Sequence, residues 1–170
     1  MKTCHCHHLR ILSLSALYDI EKADDGTSYK FTTTSGLVYV AYFTEFILLD
    51  VNGEEIQVVS FGFACDRPDE TKRHDSRVKL TIIHIVEEFF ATQSDEALLY
   101  MCMDGDGKGR NRYITFGRWF REAGGLLEKY NFASRDPKAR FYSSIILSSS
   151  NPQKQRMIDA FYYTINYWGL

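Results

Sequence analysis

Along residues 29–63, apolar and polar positions alternate in short runs rich in β-branched and aromatic side chains, interrupted at Ser35-Gly36 and Asn52-Gly53. Alternation with period two buries one face of a strand, and dipeptides of this kind turn a chain back on itself. The pattern therefore predicts two hairpins, "YKFTTTSGLVYVAYF" and "FILLDVNGEEIQVVSFGF", which supply three or four antiparallel strands. The polar stretch at 64–75, "ACDRPDETKRHD", reads as a solvated connection. From Asp75 the period changes. Val78, Ile82, Ile85, Val86, Phe89 and Phe90 fall on one face of a helix that Asp75 or Ser76 caps.

"ALLYMCMD" then reads as a buried strand that stops at Asp104. Tyr113, Phe116, Phe120 and Ala123 mark a second amphipathic helix, closed by Gly124-Gly125. "RFYSSIILSSS" is a further strand. Asn151-Pro152 starts a last helix, because Asn caps free N–H groups and Pro lacks only an N–H that would be unpaired there. The order βββ(β)αβαβα predicts an α+β fold: a largely antiparallel sheet of about five strands with about three helices packed on one face. Residues 1–28 read as an N-terminal tail and 29–170 as one domain.

Composition adds three restrictions. Aromatics make up 15% of the 170 residues, so the core is rich in Phe and Tyr. A net charge of -2 excludes a surface that is basic all round. The four cysteines, Cys4, Cys6, Cys65 and Cys102, make no zinc-ribbon spacing and fit reduced thiols in a cytoplasmic protein. No apolar run approaches the ~18 residues that a membrane span needs, so no membrane partner is expected.

The chemistry concentrates in "DGDGKGRNR", residues 104–112. A strand, a glycine-rich loop and a helix start direct backbone N–H groups and a helix dipole at one point, which favours an anion. Asp104, Asp106, Lys108, Arg110 and Arg112 lie in the loop, and Arg118 and Arg121 continue the Arg110 face at helical spacing. These seven residues are the candidate ligand or phosphate site. The competing expectation is a plain turn, in which the two acids cap the helix and the arginines form its polar side.

Complete catalytic or cofactor motifs are missing. The Walker and dinucleotide glycine spacings both fail at Arg110, and an EF-hand fails because Lys108 and Thr115 occupy ligand positions. "YMCMDGDG" is similar to the first motif of haloacid-dehalogenase-type phosphatases, with Asp104 and Asp106 in the acidic places, but Lys108 replaces the usual hydroxyl residue. Asp136 and Lys138 could complete a nuclease-like set, although Pro137 sits between them. The terminal "CHCHH" offers metal ligands too crowded for a tetrahedral site. No cofactor and no structural metal are expected.

A helix start "DSRV", then "EEFF", "LLYMCMDGDGKGRNR" and an "NP" leading into the last helix resemble a family of small bacterial proteins that carry a domain of unknown function. The resemblance runs from about Tyr29 to the C-terminus and implies a shared fold unit and a bacterial origin, without catalytic residues. Three functions compete on this sequence. The first is a non-enzymatic binding module. Its surfaces are the 104–121 loop-helix and the aromatic last helix, whose Phe161, Tyr162, Tyr163, Tyr167 and Trp168 predict a homodimer or protein partner. The second is a metal-dependent phosphoesterase or nuclease using Asp104 and Asp106. The third is a nucleic-acid binder using Arg110, Arg118 and Arg121, with Trp119 for stacking.

Overall fold

The structure, a computed structural model, describes residues 16–70, 75–123, 125–134 and 140–167. The terminal Cys/His cluster, Asp136, Lys138 and Trp168 lie outside them. The elements are β1 (Ile20–Lys22), β2 (Ser28–Thr32), β3 (Val38–Leu49), β4 (Glu55–Cys65), α1 (Ser76–Thr92), β5 (Ala97–Met103), α2 (Gly109–Ala123), β6 (Leu127–Ala133), β7 (Phe141–Ser148) and α3 (Lys154–Tyr167). The fold is α+β. Its seven strands form one sheet in the order β1-β2-β3-β4-β5-β7-β6, antiparallel except where β5 runs parallel to β4. Helix α1 makes the crossover that a parallel pair requires. Among the described residues no helix is long and apolar enough to cross a membrane.

The two expected hairpins share a strand. β3 is 12 residues long and pairs with β2 at its start and with β4 along almost its whole length. The turn after it needs Gly53, whose φ of 77° suits a residue without Cβ. Asp50 completes that turn by accepting the N–H groups of Asn52 at 2.8 Å and Glu54 at 3.0 Å.

Helices cover both sides of the sheet, not one. In β5, Leu98, Tyr100 and Cys102 face the core under α1 and α2, while Ala97 and Leu99 face the core under α3. β7 divides in the same way, with Ile146 on the first side and Ile145 and Leu147 on the second. Strands that are apolar on alternate and intervening positions alike demand cover on both faces. The α1/α2 side is largely aromatic: Phe43 stacks on Phe89 with centroids 5.1 Å apart, and Phe61, Phe63, Tyr100, Phe116 and Trp119 form a connected group beneath α2.

Two strands extend the sheet beyond the five expected. β6 follows α2 and forms one edge; β1 forms the other. The boundary expected between residues 28 and 29 falls inside this sheet, because β2 starts at Ser28 and β1 pairs with it. Tyr18, just upstream, is buried, donates through its hydroxyl to Asp75 at 2.6 Å and stacks on Phe31. Asp75 in turn caps α1 by accepting the Arg77 N–H. Asn151 caps the last helix as expected, accepting the Gln153 N–H at 2.7 Å, with a turn at Pro152-Gln153 before the first helical residue, Lys154.

Candidate anion-binding face

The loop between β5 and α2 is closed by its own side chains. The Gly107 N–H donates to the Asp104 carbonyl at 3.0 Å, and Gly107 takes a φ of 70°. Asp104 Oδ1 accepts the Gly109 N–H at 2.8 Å and so caps the start of α2. Asp106 accepts the Lys108 N–H at 3.0 Å and both terminal nitrogens of Arg112, at 2.7 and 3.0 Å. Arg112 also donates to the Met103 carbonyl at 2.8 Å. Lys108 reaches Asp69 at 3.4 Å, a pair exposed on both sides and therefore of little energetic weight.

The Arg112 guanidinium, with the Lys108 N–H, holds the Asp106 carboxyl at about 2, well below the ordinary carboxylate range. Folding therefore lowers this pKa, so the pair's contribution is present above about 4 and is lost as pH falls through about 2. Carboxyl-resolved NMR should follow Asp106 titrating near 2 in the wild type, and Arg112→Gln should return it upward toward 3.8. An unchanged midpoint in the variant would remove Arg112 as the cause.

Helical geometry then sorts the basic residues. At 100° per residue, Arg110, Ile114, Arg118 and Arg121 lie within about 80° of one another, and Arg112 points about 160° away from Arg110. The seven candidate residues thus divide into two groups. Asp104, Asp106, Lys108 and Arg112 pair with one another, with the loop backbone or with Asp69. No ion pair among the described residues engages Arg110, Arg118 or Arg121, and all three are exposed. Ile114, 42% exposed, sits in the same stripe. Trp119 does not serve as a free stacking platform: it is half-buried and stacks on Phe63 at 6.0 Å.

β6 adds a residue that the sequence did not mark. The Lys129 ammonium lies 4.9 Å from the Tyr113 ring centroid and donates to the Asn131 side-chain oxygen. Burial, and then the charge of Arg121, pull its pKa down to about 8. It has no carboxylate partner among the described residues. A lysine whose pKa falls on folding destabilises the fold while it is charged, and this penalty is relieved as pH rises above about 8.

The expected surface on α3 is only partly a surface. Phe161 is fully buried in the core between α3 and the sheet with Leu147 and Ile145, so in this fold its ring presents no surface to a partner. Tyr162 is half-buried and donates to the Asn131 carbonyl at 3.2 Å. Tyr163 stacks on Tyr167, centroids 5.8 Å apart, and Tyr167 is 69% exposed. A shallow cleft of about 300 Å³ lies at the other end of β5, lined by Glu55, Asp95, Glu96 and Arg156 among others. Among the described residues no three His, Cys, Asp or Glu side chains are grouped to hold a metal ion.

The fold is that of an α+β protein in which Arg110, Arg118 and Arg121 of α2 have no ion pair among the described residues. Residues 74–163, just over half of the chain, match a family of unknown function (DUF6169), and the chain belongs to that family. The match covers α1, β5, α2, β6, β7 and most of α3, and leaves the strands β1–β4 outside. No curated protein and no solved structure matches the chain.

Proposed function

We propose that this protein is a non-enzymatic, cytoplasmic binding module that holds an anionic partner on the outer face of α2. The observation that carries the reading is the contrast within one helix: Arg112 is spent on Asp106, whereas Arg110, Arg118 and Arg121 share a face and have no ion-pair partner among the described residues. Guanidinium groups left without carboxylates favour phosphate or carboxylate groups through paired N–H donors. The acids of the 104–112 loop support binding rather than catalysis. Asp104 holds the helix start and Asp106 holds Arg112, so both shape the platform from which the arginines project. A reduced cytoplasmic setting agrees with Cys65 and Cys102, which form no disulfide among the described residues.

Binding of a fluorescein-labelled single-stranded oligonucleotide, used as a model polyanion, tests this at low ionic strength. Arg118→Gln and Arg121→Gln should each weaken binding by about threefold to tenfold, on the scale of ~0.6–1.4 kcal/mol for one charged contact. Lys108→Gln should have a smaller effect. Equal effects at all three positions, or no binding by the wild type, would contradict the assignment.

A further inference from the structure

A glycine in the interior of a helix weakens it, and Gly117 stands in the middle of α2, buried, on the flank that faces β6. No backbone conformation demands it there, since its φ is not positive. The point its missing side chain would occupy is bordered by two cations. A Cβ at this position would lie 3.8 Å from Lys129 Nζ and 3.8 Å from Arg121 Nη1. Both nitrogens therefore border one point, and no more than twice that distance separates them. A tetrahedral oxyanion, with oxygen–oxygen edges of about 2.5 Å and charge-assisted hydrogen bonds of about 2.8 Å, bridges such a gap.

The surroundings suit an anion. One Lys129 donor goes to Asn131, whose side-chain oxygen also accepts the Ser144 hydroxyl at 3.1 Å. The Tyr113 ring, itself stacked on Tyr142 at 5.3 Å, covers the ammonium from the helix side. Arg121 approaches with like charge, and no carboxylate compensates either cation among the described residues. Two like charges held together, one of them half-buried, are destabilising unless an anion joins them. We propose that Lys129 and Arg121, across the gap left by Gly117, bind a phosphoryl group, either inorganic phosphate or the head of a phosphate monoester. The proposal rests on the basic-face reading and places a specific subsite at its β6 end.

The groups that face Lys129 are Arg121 and Tyr113 from α2, Asn131 on its own strand, Ser144 from β7 and Cys102 from β5. Burial and the charge of Arg121 hold the Lys129 ammonium at about 8, so bound phosphate should raise the pH at which Lys129 becomes reactive. The experiment measures acetylation of Lys129 by peptide mapping between pH 6 and 10, with inorganic phosphate, with a phosphoserine peptide, and with the same peptide unphosphorylated. Saturating phosphate should slow modification of Lys129 by tenfold or more near pH 8 while leaving exposed lysines such as Lys30 unchanged. Protection by the phosphoserine peptide at far lower concentration would identify a monoester as the ligand; protection by inorganic phosphate alone would identify the free ion.

Gly117→Ala separates binding from folding. Its methyl group meets both nitrogens at ordinary contact distance, so the thermal midpoint should hold or rise while protection by phosphate disappears. Lys129→Met should also abolish phosphate binding measured by calorimetry. Phosphate that binds Gly117→Ala as it binds the wild type would overturn the subsite. If Gly117→Ala loses phosphate yet keeps oligonucleotide binding through Arg118, subsite and face both stand. If Arg118→Gln leaves oligonucleotide binding intact while phosphate still protects Lys129, the broad face fails and the subsite survives.

Discussion

Phe116→Ala is expected to destabilise the protein by about 3–5 kcal/mol, the range for truncating a fully buried aromatic ring. Phe116 has no exposed surface, and its ring centroid lies 4.2 Å from that of Tyr100, 6.0 Å from that of Phe61 and 6.1 Å from that of Phe63. It therefore fastens the helix that carries the arginines to the centre of the sheet. A domain of this size holds roughly 5–15 kcal/mol in all, so the loss is a large fraction of the total. Urea denaturation would register it as a lower midpoint at similar slope. A loss below about 1 kcal/mol would mean that α2 is docked by something other than this ring.

The second large effect comes from the smallest substitution. At Gly109 a Cβ would stand 2.6 Å from the Met103 carbonyl oxygen and 2.9 Å from its carbon, both backbone atoms that cannot swing aside. Gly109→Ala gains up to ~1 kcal/mol of helix propensity. It also forces apart the backbone at the Asp104 cap, where overpacking costs about 1–3 kcal/mol and a lost cap about 1 kcal/mol more. The clash wins, and a net destabilisation of about 2 kcal/mol is expected. The same substitution at Gly117 should be neutral or stabilising. Thermal unfolding of the two variants side by side checks the contrast, and a stabilised Gly109→Ala would contradict the packing described at the loop.

The helices were legible in the sequence because each has a long apolar stripe and a capping residue at its start. All six apolar positions read for α1 are buried, and Asp75 caps it. β6 was not legible. Its sequence, "LEKYNFA", places Leu127, Lys129 and Asn131 on one side and Glu128, Tyr130 and Phe132 on the other, so neither side shows clean apolar alternation. β1 is three residues long and gives too short a pattern to separate from a turn. Helix cover on both sides of the sheet could be read from "ALLYMCM" and "SIIL", where consecutive apolar residues leave no solvent face.

At the proposed site, the sequence pointed to α2 but not to the division of labour on it. Arg110 and Arg112 are two residues apart, and only the helical angle and the Asp106 contact show that one faces outward and the other faces the loop. Lys129 stayed hidden for a different reason. Its neighbours Arg121 and Tyr113 are 8 and 16 residues away in sequence, and only the pairing of β6 with β7, on which α2 packs, brings them together. Gly117 was the local signal available beforehand: a glycine inside an amphipathic helix asks what its missing side chain makes room for.

The salt dependence of oligonucleotide binding tests the basic face most directly. Each phosphate neutralised on a single strand contributes about -0.7 to the slope of log affinity against log salt concentration. Three arginines acting as described should therefore account for about two units of slope. The account predicts a wild-type slope that falls by about that amount in the Arg110→Gln/Arg118→Gln/Arg121→Gln variant, with the fold intact by circular dichroism. A folded triple variant whose slope and affinity equal those of the wild type would show that α2 is only the solvated side of a packed helix.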